Sequence, residues 1–220
     1  GNYVGVKPDG ITANPNRDGI YLFNAPGNNI GGAFPDDRNI ISGNNDDGVN
    51  LQDSSGNTIA SNWIGTDASG TNALPNQGDG IKVGGVCHDT SIAANQIAFN
   101  VGRGIYLESN VSSVNNRILE NSIFSNNGPG IDLKGDGVTA NDLGDSDTGP
   151  NNLQNYPVLS AAAIDTTQTQ ISGRLNSTPN TEFQIDFYSN TDCGPSGYGE
   201  GQVFIGSTSI TTDSNGEAVF

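Results

Sequence analysis

A short motif recurs five times in the first two-thirds of the 220-residue chain: glycine, an apolar residue, any residue and a second apolar residue. The intervals between the motif glycines are 29, 32, 24 and 26 residues (48−19, 80−48, 104−80 and 130−104). A period of this size is typical of stacked repeats, in which each unit contacts only its neighbours. The chain is therefore predicted to form a solenoid on these five repeat glycines: Gly19, Gly48, Gly80, Gly104 and Gly130.

Two further series of short apolar segments fall between the repeat glycines. One begins at Asn29, Asn57, Ser91 and Asn116, and the other at Asn2, Asn39, Asn62, Asn95 and Asn121. Alternation over four or five residues indicates strands, and no window carries a helical apolar stripe. Three short strands in each repeat predict an all-β, right-handed parallel β-helix, with the apolar residues in columns along its axis.

Asparagine and glycine separate the predicted strands and are expected at the corners of each coil. Glycine reaches positive φ freely, and asparagine tolerates it better than most residues. Stacked asparagine side chains can also form hydrogen-bonded ladders. The long connections 7–18 and 67–79 follow similar segments and both end in Asp-Gly-Ile. We therefore expect them to be equivalent loops that leave the same corner of the solenoid.

Three segments resemble bacterial right-handed parallel β-helix repeat proteins: 39–44 (NIISGN), 62–71 (NWIGTDASGT) and 149–159 (GPNNLQNYPVL). The resemblance covers roughly residues 1–160 and implies a secreted or surface-anchored, multidomain protein. It implies the fold more strongly than an activity, because the same scaffold carries lyases, epimerases, tailspikes and adhesins.

The composition limits the possible partners. The formal net charge is −16 with only 8 Lys and Arg, so no basic stripe is available to neutralise phosphates and nucleic-acid binding is not expected. The longest apolar stretch, about 158–164, is far shorter than the roughly 20 residues of a membrane-spanning helix. The chain starts inside a predicted coil and ends inside a predicted strand, so we expect it to be part of a longer protein.

A different pattern begins near residue 161. Longer alternating strands at 169–175, 182–188 and 202–210 predict an antiparallel module over 161–220, after the β-helix of 1–160. This module resembles the immunoglobulin-like β-sandwich that follows such repeats in secreted proteins. With about five strands it is short of a full sandwich. Either the chain simply stops there, or an exposed edge accepts a strand from a neighbouring molecule.

The two cysteines, Cys87 and Cys193, lie one in each predicted domain. An interdomain disulfide is one expectation for an oxidising compartment, and two independent buried thiols are the other.

An acidic, glycine-rich loop lies between the two predicted domains. Calcium favours six to eight oxygen ligands from flexible loops, so the loop predicts a structural Ca²⁺ site, with a solvated acidic loop as the alternative. Like charges that lie close together need neutralisation, which favours Asp142, Asp145 and Asp147 as ligands. The full set of candidate ligands is Asp136, Asn141, Asp142, Asp145 and Asp147.

A catalytic site is harder to recognise. The only histidine, His88, precedes Asp89, and neighbouring residues of a strand point to opposite faces. Glycosidases need two carboxylates about 5–10 Å apart, and the sequence pairs none of its many acidic residues. We therefore predict no catalytic residues.

Tyr21 and Tyr106 occupy the same outward position of the repeat, two residues after the glycine. Exposed aromatic rings with polar neighbours suit sugar faces, so the pair is a candidate glycan-binding site, with ordinary surface tyrosines as the alternative.

The sequence as a whole favours a structural or adhesive module of a bacterial cell-surface or filament-forming protein, located outside the cell. The alternatives are a polysaccharide lyase or hydrolase and a glycan-binding module without chemistry. The expected partners are further copies, through sheet edges or stacked coils, and extracellular polysaccharide.

Overall fold

The computed structural model describes residues 1–165, 168–191 and 198–220. The first fourteen strands form three parallel sheets in which strands stack in the order of successive coils. Sheet 1 contains β1 (Tyr3–Val4), β4 (Ile40–Ile41), β7 (Trp63–Ile64), β10 (Gln96–Ala98) and β13 (Ser122–Phe124). Sheet 2 contains β2 (Ile20–Phe23), β5 (Val49–Gln52), β8 (Ile81–Gly84), β11 (Ile105–Glu108) and β14 (Ile131–Lys134). Sheet 3 contains β3 (Asn29–Gly31), β6 (Thr58–Ala60), β9 (Ser91–Ala93) and β12 (Arg117–Leu119).

The predicted parallel β-helix is confirmed, with four triplets of strands and a final pair. The repeat motif aligns in register, since Ile20 pairs with Val49, Val49 with Ile81 and Ile81 with Ile105. Loops of different length account for the unequal spacing of the glycines, so the strands of successive coils stay in register. The inward apolar side chains form one continuous core along the axis.

Two asparagine ladders run along the corners of the solenoid. In each, the amide Nδ2 donates to Oδ1 of the asparagine one coil further on, as between Asn44 and Asn76 at 2.8 Å and between Asn62 and Asn95 at 3.1 Å. The same Oδ1 atoms accept backbone N–H groups. The ladders satisfy polar groups that the corners would otherwise bury. Ladder 1 consists of Asn2, Asn39, Asn62, Asn95 and Asn121, and ladder 2 of Asn16, Asn44, Asn76, Asn100 and Asn126.

The reason for the repeat glycines differs from the one expected. None of the five has positive φ, although Gly5, Gly31 and Gly65 at other corners do. A Cβ on Gly48 would lie 2.6 Å from the carbonyl oxygen of Gly80 and 2.7 Å from a methyl carbon of Ile64. Glycine is required at these positions because adjacent coils approach too closely for a side chain.

The two long connections are equivalent, as predicted. Each is closed by an antiparallel bridge, Val6 to Ala13 in the first and Thr66 to Ala73 in the second. The amide of Ala68 donates to the carbonyl of Gly10 at 2.8 Å, so the loops stack on one side of the solenoid.

The last five strands form two antiparallel sheets. Sheet 4 has the order β15 (Val158–Ile164), β16 (Thr169–Asn176), β19 (Glu217–Val219), and sheet 5 pairs β17 (Glu182–Ser189) with β18 (Val203–Thr211). This arrangement is consistent with a sandwich-like module. The described residues also include two short 3-10 helices, η1 (Pro35–Asp37) and η2 (Pro150–Leu153).

The C-terminal module accepts hydrogen bonds from backbone amides of the last coil. The amide of Ile123 in β13 donates to the carbonyl of Gly201 at 2.7 Å, and the amide of Glu120 donates to Asp186 Oδ2 at 3.0 Å. These bonds occupy polar groups at the end of the stack.

Candidate functional site

The outer face of sheet 2 carries aromatic, amide and charged side chains. Outward positions lie two and four residues after each repeat glycine, because side chains alternate along a strand. They form two columns: Tyr21, Asn50, Lys82, Tyr106 and Asp132, then Phe23, Gln52, Gly84, Glu108 and Lys134. An open depression of about 500 Å³ lies at the first three coils, and Arg17, Asp18, Tyr21, Asn50, Gln52 and Lys82 line it.

Tyr21, which lines this depression, forms an exposed aromatic pair with Phe23. Their side chains are 54% and 57% exposed, their ring centroids lie 6.4 Å apart, and their planes differ by 15°. The sequence pattern did not single out Phe23 as a candidate ligand-binding residue, although its position four residues after Gly19 is also an outward one. The two rings are stacked with nearly parallel planes, so they present an exposed aromatic cluster on this face.

Tyr106 lies in the same column as Tyr21 but in a different environment. Asn50 and Lys82 separate the two tyrosines in adjacent coils, and the guanidinium of Arg103 lies 4.0 Å from the Tyr106 ring centroid. Burial raises the pKa of the Tyr106 phenol above its usual value. The ring is half-buried beneath Arg103, so the structure does not bring the two predicted tyrosines together.

Charged side chains on this face pair across coils. Lys82 Nζ lies 3.0 Å from Glu108 Oε1, and Arg103 Nε donates to Asp132 Oδ2 at 2.8 Å. Burial disfavours the charged form of Lys82, but the hydrogen bond to Glu108 and the charge of Glu108 favour it more strongly. The pKa of Lys82 is therefore raised above its usual value. These pairs hold the cationic groups close to the sheet.

A column of aspartates precedes the repeat glycines. Asp18 Oδ1 accepts the amide of Asp47, and Asp47 Oδ1 accepts the amide of Asp79 at 2.8 Å, so each carboxylate binds the backbone of the next coil. In the fourth coil Arg103 takes this position, and its amide donates to Asp79 Oδ1 at 2.7 Å. Burial, followed by the charges of Asp79 and Asp46, raises the pKa of Asp47 to about 6.

Among the described residues, two groups of carboxylates could hold a cation. Ligand atoms of Asp18, Asp46 and Asp47 lie within 4.8 Å of one another, as do those of Asp142, Asp145 and Asp147. Sequence reasoning found only the second group, because the members of the first come from different coils. Arg17 lies 3.5 Å from Asp46 and partly neutralises the first group.

The second group, which we call the interdomain acidic cluster (Asp142, Asp145 and Asp147), contains three of the five predicted calcium ligands. Asp136 lies outside it and pairs with Lys134 at 3.1 Å. Asn141 exchanges two hydrogen bonds with the backbone of Tyr156, so both ends of its amide are occupied.

The interdomain acidic cluster also connects the loop to the C-terminal module. Asp145 accepts the hydroxyl of Ser177 at 2.5 Å and the amide of Asn155 at 3.0 Å. Hydrogen bonds from Ser146 lower the pKa of Asp142, whereas burial and the charges of its two neighbours raise that of Asp147. Asp147 Oδ1 is a buried oxygen with no hydrogen-bond partner among the described residues.

Cys87 and His88 lie on opposite sides of one corner. The Cys87 thiol is buried, donates to the carbonyl of Gly84 at 3.1 Å, and has a pKa that burial raises. His88 is exposed and lies 2.8 Å from Asp89. Cys193 falls outside the described residues, so the interdomain disulfide stays a prediction.

Stacked parallel coils around one apolar core define the chain as a β-solenoid protein. A family model described as "Periplasmic copper-binding protein (NosD)" matches residues 9–157, more than half of the chain. The chain therefore belongs to the NosD family. The periplasmic description confirms the predicted location outside the cytoplasm. A comparison with curated proteins gave no match. Within the part of the chain that the structure describes, no helix is long and apolar enough to cross a membrane.

Proposed function

We propose that the chain is a structural module of a protein outside the cytoplasm, a stiff spacer that presents its sheet faces to partners. The observation that carries this proposal is the continuity of the asparagine ladders and the core through every coil. A solenoid with continuous columns resists bending, because each coil is bonded to both neighbours. The carboxylates of the aspartate column bind backbone amides, which is a structural use.

Assays of polysaccharide turnover distinguish this structural role from an enzymatic one. We expect no new reducing ends and no unsaturated products from a panel of neutral and acidic polysaccharides, with or without Ca²⁺. Cleavage that is lost in the Asp47→Asn variant would instead favour a hydrolase or lyase, because Asp47 is the carboxyl whose pKa suits proton transfer near neutral pH.

A second candidate function is saccharide binding on the outer face of sheet 2. The exposed Tyr21–Phe23 pair beside the amides of Asn50 and Gln52 favours it, since aromatic rings stack on sugar faces and amides supply hydrogen bonds. We expect binding on a glycan array to be lost in Tyr21→Ala and in Phe23→Ala. Tyr106→Ala is the matched control, because that ring is covered by Arg103. Equal loss in all three variants would contradict this site.

The family description names copper, but the described residues assemble no site from the softer donors that copper favours. Copper favours thiolate, thioether and imidazole ligands, and the whole chain has one histidine, two cysteines and no methionine. The thiol of Cys87 is buried and bonded to a carbonyl, while the imidazole of His88 is exposed beside Asp89. The described residues therefore bring no two such donors together.

The interdomain acidic cluster suits a hard cation better, and we propose Ca²⁺ as its ligand. Its donors are carboxylate oxygens, and the unpartnered Oδ1 of Asp147 is available as a ligand. We expect Ca²⁺ to raise the Tm, a chelator to reverse the increase, and Asp147→Asn to abolish it. Asp136→Asn is the control, because Asp136 lies outside the cluster. A Tm that does not respond to Ca²⁺ or chelator would remove the proposed site.

A further inference from the structure

Strand β15 is an unprotected apolar edge. It forms one side of sheet 4, β16 is its only neighbour in the sheet among the strands that the structure describes, and all seven of its side chains are exposed. Val158, Leu159 and Ile164 are among them, at 43%, 57% and 83% exposure. An edge strand presents unpaired backbone N–H and C=O groups, so an uncovered apolar edge is a template for another strand.

The devices that normally protect such an edge are nearly absent from β15. The run Val158–Ile164 reads VLSAAAI and contains no charged residue and no proline. Its one irregularity is a β-bulge between Leu159 and Ala161, which increases the local twist. In a chain with a net charge of −16, this strand can meet an identical strand without repulsion between its own side chains.

The sequence of β15 is also self-complementary. In an antiparallel pair with a twofold axis at Ala161, Val158 faces Ile164 of the second copy, and Leu159 faces Ala163. Apart from one Ser160–Ala162 pair on either side of the axis, each directly opposed pair joins apolar side chains. A contact of this type is isologous and closed, so it yields a dimer and not a fibre.

We propose that a second copy of this chain pairs with β15, and that the two copies of sheet 4 form one continuous six-stranded sheet. The partner strand is the second copy's β15, antiparallel and centred on Ala161. The contact joins C-terminal modules and leaves both solenoids free, so it would present two copies of the outer face of sheet 2.

Introducing a charge at the twofold axis tests this pairing. We expect the wild-type chain to be dimeric by sedimentation velocity, and Ala161→Lys and Ala161→Glu each to weaken self-association by roughly tenfold or more, because like charges then face each other. Mixing the two variants should restore the dimer, since Lys then faces Glu. The Ala161 side chain is exposed, so we expect both variants to match the wild-type Tm at a concentration low enough for all three chains to be monomeric.

The matched control is Ser209→Lys in β18, an exposed position on another uncharged strand with a free edge. This variant should remain dimeric. A wild-type chain that is monomeric at all concentrations would overturn the proposal. So would a dimer that is unaffected by Ala161→Lys, or one that Ser209→Lys disrupts, because either result places the contact elsewhere.

Discussion

At the scale of single residues, close approach between coils decides which side chains are allowed. The repeat glycines are surrounded by the carbonyl of the next coil, an isoleucine methyl group and a ladder asparagine, as around Gly48. Gly130 is the exception, because the nearest atoms to an added Cβ would lie 3.5 Å away, at Ile123. The same motif position therefore tolerates a methyl group only in the last coil.

We expect Gly48→Ala to lower the free energy of unfolding by about 1–3 kcal/mol, since its new methyl group must displace the backbone of the third coil. Gly130→Ala should change it by less than about 0.5 kcal/mol. Denaturant unfolding measures both values. Equal losses in the two variants would mean that conformational freedom, and not space, requires glycine here.

The buried carboxyl of Asp47 predicts a pH-dependent contribution to stability. Its pKa is about 6 in the folded chain and near the usual 3.8 when unfolded, so folding takes up a proton between these values. The contribution is fully present below pH 3.8 and is lost as the pH rises through about 6. It amounts to about 2–3 kcal/mol.

Asp47→Asn should remove this contribution, because the amide carries no charge to desolvate. Its oxygen can still accept the amide of Asp79. In the wild type Asn50 Nδ2 donates to Asp47 Oδ2, so the new nitrogen can donate to Asn50 Oδ1, which has no partner among the described residues, once the Asn50 amide turns over. We therefore expect the difference in Tm between the variant and the wild type to grow in favour of the variant from pH 4 to pH 7.5. A constant difference across that range would contradict the assignment.

At the scale of elements, the asparagine ladders connect the coils at their corners. Asn76 makes four ladder bonds, two through its side-chain nitrogen and two through its oxygen, and its side chain is fully buried. Asn16 ends the same ladder, is exposed, and only donates to Asn44. Interior and terminal asparagines of one ladder are therefore the same residue type at the same corner, but they differ in burial.

Asn76→Ala should lower the free energy of unfolding by about 3 kcal/mol, because it leaves buried donors and acceptors without partners. Asn16→Ala should lower it by about 1 kcal/mol or less, since water replaces the lost bonds. Chemical denaturation of the two variants checks the contrast. A similar small loss in both would show that the ladder contributes little beyond the strand pairing.

A third corner shows an interrupted ladder. Asn28 donates to Asn57 at 3.2 Å, but the next coil has Thr90, whose buried hydroxyl has no hydrogen-bond partner among the described residues. The backbone of Thr90 donates to Asn116, which continues the column. We expect Thr90→Asn to complete the ladder and raise the free energy of unfolding by about 1 kcal/mol, as measured by denaturant unfolding. A loss of stability would mean that the corner has no room for the longer side chain.

At the scale of the whole molecule, each coil is stabilised mainly by its neighbours, and the C-terminal module stabilises the last coil. Asp186 and Glu200 accept the amides of Glu120 and Ser125, at 3.0 and 2.7 Å. Removing these acceptors should loosen the end of the stack and leave its middle intact, because repeat stability is largely a nearest-neighbour property.

We expect the double variant Asp186→Ala, Glu200→Ala to increase hydrogen exchange at the Glu120 and Ser125 amides by roughly tenfold. The amide of Ile81, in the middle of sheet 2, should exchange at its wild-type rate. Uniformly faster exchange along the solenoid would contradict this picture, because it would mean that the two modules unfold as one unit.

The amino-acid sequence by itself determined the parallel solenoid, the three strands in each coil and the stacking of the long loops. These follow from local alternation and from a repeat that returns each residue type to the same corner. Only the tertiary structure decided which outward side chains are accessible and which carboxylates converge. Tyr106 is covered by Arg103, whereas Phe23 lies exposed beside Tyr21. The Asp18, Asp46 and Asp47 group joins two coils. These contacts join residues from separate coils. Because the loops between the strands differ in length, the sequence alone does not show which residues of neighbouring coils will meet.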